Sequence, residues 1–115
     1  LLAQAIESGE LRLDDPVANC ITELQQGHDI RRVTFGQLAS HTSGLPRVPQ
    51  NYEPWHRGKY TLPDFIRFLK AWRADANHEP GQQDLYSNAG MVLLRIALER
   101  CSETLIHDTI SLHSA

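Results

Sequence analysis

The chain has 115 residues, of which 41% are hydrophobic, and a formal net charge of -3. That size and balance suit one globular unit with a modest core. Arg31, Arg32, Arg67, Lys70 and Arg73 are interspersed with acids instead of gathered into a stripe, which excludes the footprint of a nucleic-acid or anionic-membrane binder. No apolar run is long enough to span a bilayer, and no charged start followed by a hydrophobic segment marks a signal peptide. Leu1, Leu2, Ala5 and Ile6 fall on one helical face, and Gly9 supplies a left-handed position that commonly ends a helix. Leu11-Arg12-Leu13 alternates like a short extended piece, and Asp14-Asp15-Pro16 reads as a turn or a helix start, with Pro16 suited to the first helical turn. Val17 to Leu24 fits a short helix or irregular chain, and the polar stretch Gln25 to Arg32, with Gly27, reads as a loop.

Thr34-Phe35-Gly36-Gln37 offers a capping box for a short helix whose buried side is Phe35, Leu38 and Ala39. His41-Thr42-Ser43-Gly44-Leu45-Pro46 ends it, since Gly44 tolerates positive φ and Pro46 drives Leu45 out of the α region. Arg47 to Tyr60 reads as a long loop with two exposed aromatics, Tyr52 and Trp55, and a loop of that length is usually functional or disordered. Thr61-Leu62-Pro63-Asp64 is a second capping box with proline in the first turn. The helix it starts carries Leu62, Phe65, Ile66, Leu69 and Trp72 on one stripe, a core face of an amphipathic surface helix.

The turn Pro80-Gly81 leads into Asp84-Leu85-Tyr86-Ser87-Asn88, which places a phenol, a hydroxyl and a carboxamide side by side just before a helix. Such a triplet can address one pocket mouth. The plainer possibility is a half-buried Tyr86 with Ser87 or Asn88 as an N-cap. From Ala89 to about Cys101 the predicted helix is apolar on nearly all sides, with a narrow polar sector around Arg95 and Glu99. Part of that surface is expected to belong against something the chain does not carry. A weak last helix is expected at Leu105 to Leu112. Cys20 and Cys101 have none of the close spacings of zinc or redox motifs and read as two buried thiols in preference to a disulfide. The six histidines show no pair at ligand spacing, so no metal and no cofactor are expected.

Leu38-Ala39-Ser40-His41-Thr42-Ser43-Gly44-Leu45-Pro46, the Pro80-Gly81 turn and Leu85-Tyr86-Ser87-Asn88, in this order, resemble the serine β-lactamase family, which includes class C β-lactamases, D-alanyl-D-alanine carboxypeptidases and related esterases. The opening, Leu1 to Val17, resembles the segment that follows the nucleophile helix in that family. The resemblance runs over residues 1–102 and leans towards class C in Leu62 to Trp72 and the Tyr86 region. It implies a mainly α chain, the helical subdomain of the β-lactamase/transpeptidase-like fold without its α/β sheet domain, so that residues 1–115 form a single partial domain.

The chemistry implied is acyl transfer through a serine ester, in which a base activates the hydroxyl and fixed donors hold the oxyanion. By resemblance Tyr86 is the proton shuttle and Asn88 contacts the substrate, with Ser87 beside it on the substrate-binding side in a mainly structural part. The family's Ser-x-x-Lys is absent: the lysines are Lys59 and Lys70, and neither follows a serine by three positions. Lys-Thr-Gly is absent too. A phenol is a weak base at neutral pH unless cations beside it stabilise its anion, and the family's lysines supply them. The chain is therefore expected to be inactive by itself, a piece of a longer hydrolase. Arg47 or Val48 stands where class C enzymes carry a glutamine that contacts the β-lactam side chain, which keeps peptide and ester substrates open beside β-lactams. The family's bacterial members mostly work in the periplasm. The alternative is a standalone helical module that binds a partner or itself through an exposed apolar face.

Overall fold

The computed structural model describes Glu7, Gly9 and residues 11–52 and 60–114, with side chains as far as Cys101. The expected opening helix, Trp55 and the side chains of the expected last helix lie outside the described residues. Within them the chain is helical, and β pairing is confined to one isolated antiparallel bridge between Pro16 and Thr34.

That bridge fastens the start of the described chain to the segment before the first α-helix. The Val17 amide donates to the Val33 carbonyl at 3.0 Å, the Phe35 amide to Asp15 at 3.2 Å and the Gly36 amide to Leu13 at 2.8 Å. Between the two tied segments the chain winds through three 3-10 turns, Val17–Asn19, Thr22–Gln26 and Asp29–Arg32. The last of these lies inside the stretch expected to be loop. Each turn delivers side chains inward, and Val17, Ile21, Leu24, Ile30 and Val33 are fully buried.

Three α-helices follow: α1 at Phe35–Ala39, α2 at Leu62–Ala71 and α3 at Asn88–Ser114. Both expected capping boxes are present. Thr34 accepts from the Gln37 amide while the Gln37 side chain accepts from the Thr34 amide, and Thr61 and Asp64 do the same at the start of α2. Each box satisfies two amides that the first helical turn leaves without intrahelical partners. Phe35 and Leu38 are buried, whereas Ala39 is exposed: in a helix this short only one turn faces the core. On α2, Phe65, Ile66 and Leu69 are buried as expected, as is Trp72 just past its end, Phe68 joins them, and Leu62 is 44% exposed because the first turn projects past the core. α1 packs against α3 and α2 against the Thr22–Gln26 turn.

α3 begins one residue earlier than expected and continues as one helix through the stretch expected to form a separate one. Ala89, Leu93, Leu94, Ala97 and Leu98 are buried, while Met91 and Val92 are 41% and 39% exposed, so the apolar surface of α3 is covered in part. Cys20 and Cys101 form a disulfide with Cα atoms 5.3 Å apart, which corrects the expectation of two separate thiols. It closes a loop across 81 positions of sequence, and beside it Arg100 holds both carboxylate oxygens of Glu23 at 2.7 and 2.8 Å.

Asp29 anchors the third 3-10 turn to the chain leaving α2. Its carboxylate accepts from the Ala74 amide at 2.6 Å and from Arg32 at 2.8 Å, and Arg32 also reaches Glu79 at 2.6 Å. The Ala74 amide, and after it Arg32, hold the Asp29 carboxyl below the usual carboxylate range. A depressed folded value stabilises the fold above the ordinary carboxylate pKa and is lost as pH falls through the folded value. Asp29→Asn keeps an acceptor for Ala74 but loses the charge. It is expected to cost about 1 kcal/mol at neutral pH, discounted for partial solvent screening, with the gap to wild type closing below about pH 4. Thermal unfolding midpoints of both proteins at pH 7 and pH 3 measure this, and a gap unchanged at pH 3 contradicts it.

Candidate active site

The site is built where the chain enters α3 across the loop that leaves α1. Ser87, the residue before α3, is 1% exposed. Its hydroxyl accepts from the Gly90 amide at 2.9 Å and donates to the Pro46 carbonyl at 2.7 Å. The first bond is an N-cap, and the second ties the helix start to the His41–Pro46 loop. The Ala89 amide, donating to the Arg47 carbonyl at 3.2 Å, strengthens the same tie. With both bonds internal, Ser87 sets the position of its neighbours.

Those neighbours face outward. Tyr86 is 56% exposed, not the half-buried core aromatic of the plainer reading. Its ring stacks on the imidazole of His41 with centroids 4.6 Å apart and planes inclined by 30°. The guanidinium carbon of Arg47 stands 5.9 Å from the ring centre, within the range of a cation–π contact. Neither His41 nor Arg47 was assigned a part at Tyr86 from sequence, although both lie in or beside the motif that carries the resemblance.

Asn88, also exposed, stands on the wall of a groove of about 550 Å³ lined by Val48, Pro49, Tyr52, Tyr60, Phe65, Val92 and Ile96 among others. Tyr52 and Tyr60 meet edge to face at 5.4 Å. The Tyr60 hydroxyl donates to Asn51 at 2.5 Å, and burial, helped by the nearby charge of Asp64, pushes its phenol pKa up. Tyr60 is thus a neutral donor in the groove wall, unsuited to the part of base. The groove offers apolar and aromatic surface with a few polar groups, Asn88, Thr61 and Arg95, in its lining, the composition of a small-molecule pocket.

The three serines with described side chains are all engaged internally. Ser40 bonds to the Gly36 carbonyl at 2.8 Å and to Thr42 at 2.8 Å. Ser43 is buried and accepts from the Leu45 amide at 3.3 Å, and Ser87 is the cap. None stands open beside Tyr86 as an attacking hydroxyl. The described residues therefore leave the Tyr86 phenol and the Asn88 carboxamide exposed on either side of the buried Ser87. Among them no group of three or more His, Cys, Asp or Glu is placed to hold a metal ion, and no helix is long and apolar enough to cross a membrane.

No curated protein matches the chain. A family model described as Beta-lactamase matches residues 1–110, a range that includes the His41–Pro46 loop and the Tyr86-Ser87-Asn88 helix start. With nearly the whole sequence inside that match and a helical structure that fits part of the β-lactamase-like fold, the chain belongs to the Beta-lactamase family.

Proposed function

We propose that the chain serves a serine acyl hydrolase of the class C type, acting on β-lactams or D-amino-acid peptides, as the part that carries the proton shuttle and one substrate contact. The observation that supports this most is the division of labour within the triplet. Ser87 is buried and fixes the start of α3, which leaves Tyr86 and Asn88 exposed on either side of it, one beside a histidine and an arginine and the other at the mouth of an apolar groove. Tyr86 then relays a proton between the attacking serine and the leaving group, and the Asn88 carboxamide hydrogen-bonds the amide of the acyl group. The attacking serine and its lysine come from outside these residues, so the chain by itself hydrolyses nothing. Val48 in the groove wall favours an apolar acyl side chain over a polar one.

The periplasm or the cell exterior is the proposed compartment, supported by the Cys20–Cys101 disulfide, since such bonds persist in oxidising surroundings. Steady-state kinetics of the complete protein on benzylpenicillin, an acyl-D-alanyl-D-alanine peptide and a p-nitrophenyl ester test the reading. Tyr86→Phe is expected to lower kcat on the best substrate about 100-fold, the usual scale for a positioned proton-transfer group. Asn88→Ala is expected to raise KM chiefly for the amide-bearing substrates. A Tyr86→Phe protein as fast as wild type on all three removes the proposal.

The exposure of Met91 and Val92 on α3 favours a second reading, a non-catalytic module that self-associates through this face. Sedimentation of the chain at rising concentration separates the two: a monomer throughout leaves the second reading without support.

A further inference from the structure

We propose that His41 is the positioning residue of the Tyr86-Ser87-Asn88 triplet, its imidazole and its backbone carbonyl together fixing where the Tyr86 phenol stands. The catalytic consequence rests on the reading of Tyr86 as a proton shuttle; the geometric claim does not. His41 has φ 59° and is the one non-glycine residue with positive φ among those described. The left-handed region is uncommon for any residue with a side chain, histidine and asparagine less so than most, and costs conformational energy that glycine escapes. A residue held there against its preference is over-determined by its surroundings, and such positions concentrate at functional sites.

The surroundings are specific. The His41 carbonyl accepts from the Leu85 amide at 2.7 Å, and the adjacent Thr42 carbonyl accepts from the Gly81 amide at 2.6 Å. The His41 Nδ1 accepts from the Ser87 amide at 3.4 Å, and its ring covers part of Tyr86 in the 4.6 Å stack. Residues 85, 86 and 87 are thus held one after another by a single residue: backbone to carbonyl, ring to ring, backbone to ring nitrogen. The left-handed turn at His41 is what lets its carbonyl and its ring face the same strip of chain. At 3.4 Å the Ser87 bond is the weakest of the three, so the stack and the Leu85 bond carry most of the hold. With Nδ1 accepting, the ring keeps its proton on Nε2. The phenol of an exposed tyrosine would otherwise sample several rotamers, and restricting it matters because misplacing a reacting group by about 1 Å can cost roughly 100-fold in rate.

Three variants of the complete protein take the clamp apart. His41→Gly accepts the left-handed turn and removes the ring. His41→Phe restores an aromatic face without the acceptor. His41→Asn accepts the turn and offers Oδ1 as acceptor without the aromatic face. The Tyr86 ring resonances, assigned by difference against Tyr86→Phe, are expected to shift in the Gly and Asn variants and to return towards wild-type positions in Phe. With the stack lost, kcat is expected to fall roughly 10-fold to 100-fold in the Gly variant with KM within about 2-fold, and to recover mostly in Phe. In the Tyr86→Phe background His41→Gly is expected to cause no further loss, because the two residues act as one unit. Unchanged Tyr86 resonances in a folded His41→Gly protein overturn the clamp. If Tyr86→Phe alone leaves activity intact, it is the shuttle reading that fails, and the resonance shifts still decide the clamp. A Gly variant that does not fold while Phe and Asn both fold with wild-type Tyr86 resonances also overturns it, since His41 would then serve the loop alone.

Discussion

Removing the Cys20–Cys101 disulfide, by reduction or by Cys101→Ser, is expected to lower the unfolding free energy by about 4 kcal/mol, from the entropy of closing a loop of this length in the unfolded chain. The bond spans 81 positions, from the end of the first 3-10 turn to the middle of α3, so it restrains most of the described chain. The Glu23–Arg100 pair next to it cannot replace it, because both side chains are partly solvated and such pairs contribute little. Denaturant unfolding of oxidised and reduced protein measures the loss. The midpoint is expected to fall, and the slope to rise as the unfolded chain expands. The site is expected to be spared, since about 20 Å of helix, at 1.5 Å per residue, separates Cys101 from Asn88. Equal midpoints for the two forms, or free thiols by mass spectrometry in protein made in an oxidising compartment, contradict the expectation.

What was legible in the sequence is what is decided within four residues or repeated along a helix. The two capping boxes needed only Thr34 with Gln37 and Thr61 with Asp64, and the buried stripe of α2 followed from its 3.6-residue period. The positive φ of Gly44 followed from the residue type and the proline after it. The exposure of Met91 and Val92 agrees with an α3 too apolar for the chain to cover.

The misses have the opposite character. A 3-10 turn such as Asp29–Arg32 is too short to show a period. The disulfide depends on two Cα atoms coming within 5.3 Å, which no spacing encodes when the partners are so far apart. Histidine is enriched among left-handed residues yet seldom adopts that conformation, so the residue type does not place the turn, and the meeting of two distant segments at His41 does. The same meeting puts His41 and Arg47 at the Tyr86 ring. The Tyr86-Ser87-Asn88 triplet itself was conspicuous. Its internal split, with Ser87 inward as cap and its neighbours outward, follows from where α3 begins, and helix ends are what sequence patterns locate least well.

Gly44→Ala is expected to cost about 4 kcal/mol, the sum of a left-handed alanine and a steric overlap in a buried turn, and to displace the triplet as well. Gly44 is buried with φ 85°. A Cβ there would overlap the His78 carbonyl oxygen outright and lie 3.1 Å from its carbon, and backbone cannot swing aside as a flexible side chain can. Relief requires the 78–81 turn to move off the 41–44 loop. That motion strains the Gly81 bond to Thr42 and the Leu85 bond to His41, so the damage reaches Tyr86 through the chain that carries it. Gly81→Ala is the control. Gly81 has the same φ of 85° but is exposed, and its added Cβ would meet only the Gln37 side-chain nitrogen, at 3.2 Å. It should therefore show the conformational cost alone, about 1–2 kcal/mol. In thermal unfolding the Gly44 variant is expected to lose roughly 20 °C, well beyond the control. In spectra of the folded fraction the Tyr86 ring resonances should move in Gly44→Ala and hold nearer to wild type in Gly81→Ala. Equal losses in the two variants would mean that φ alone matters, and that the close approach of the 41–44 loop to His78 contributes nothing to holding the site together.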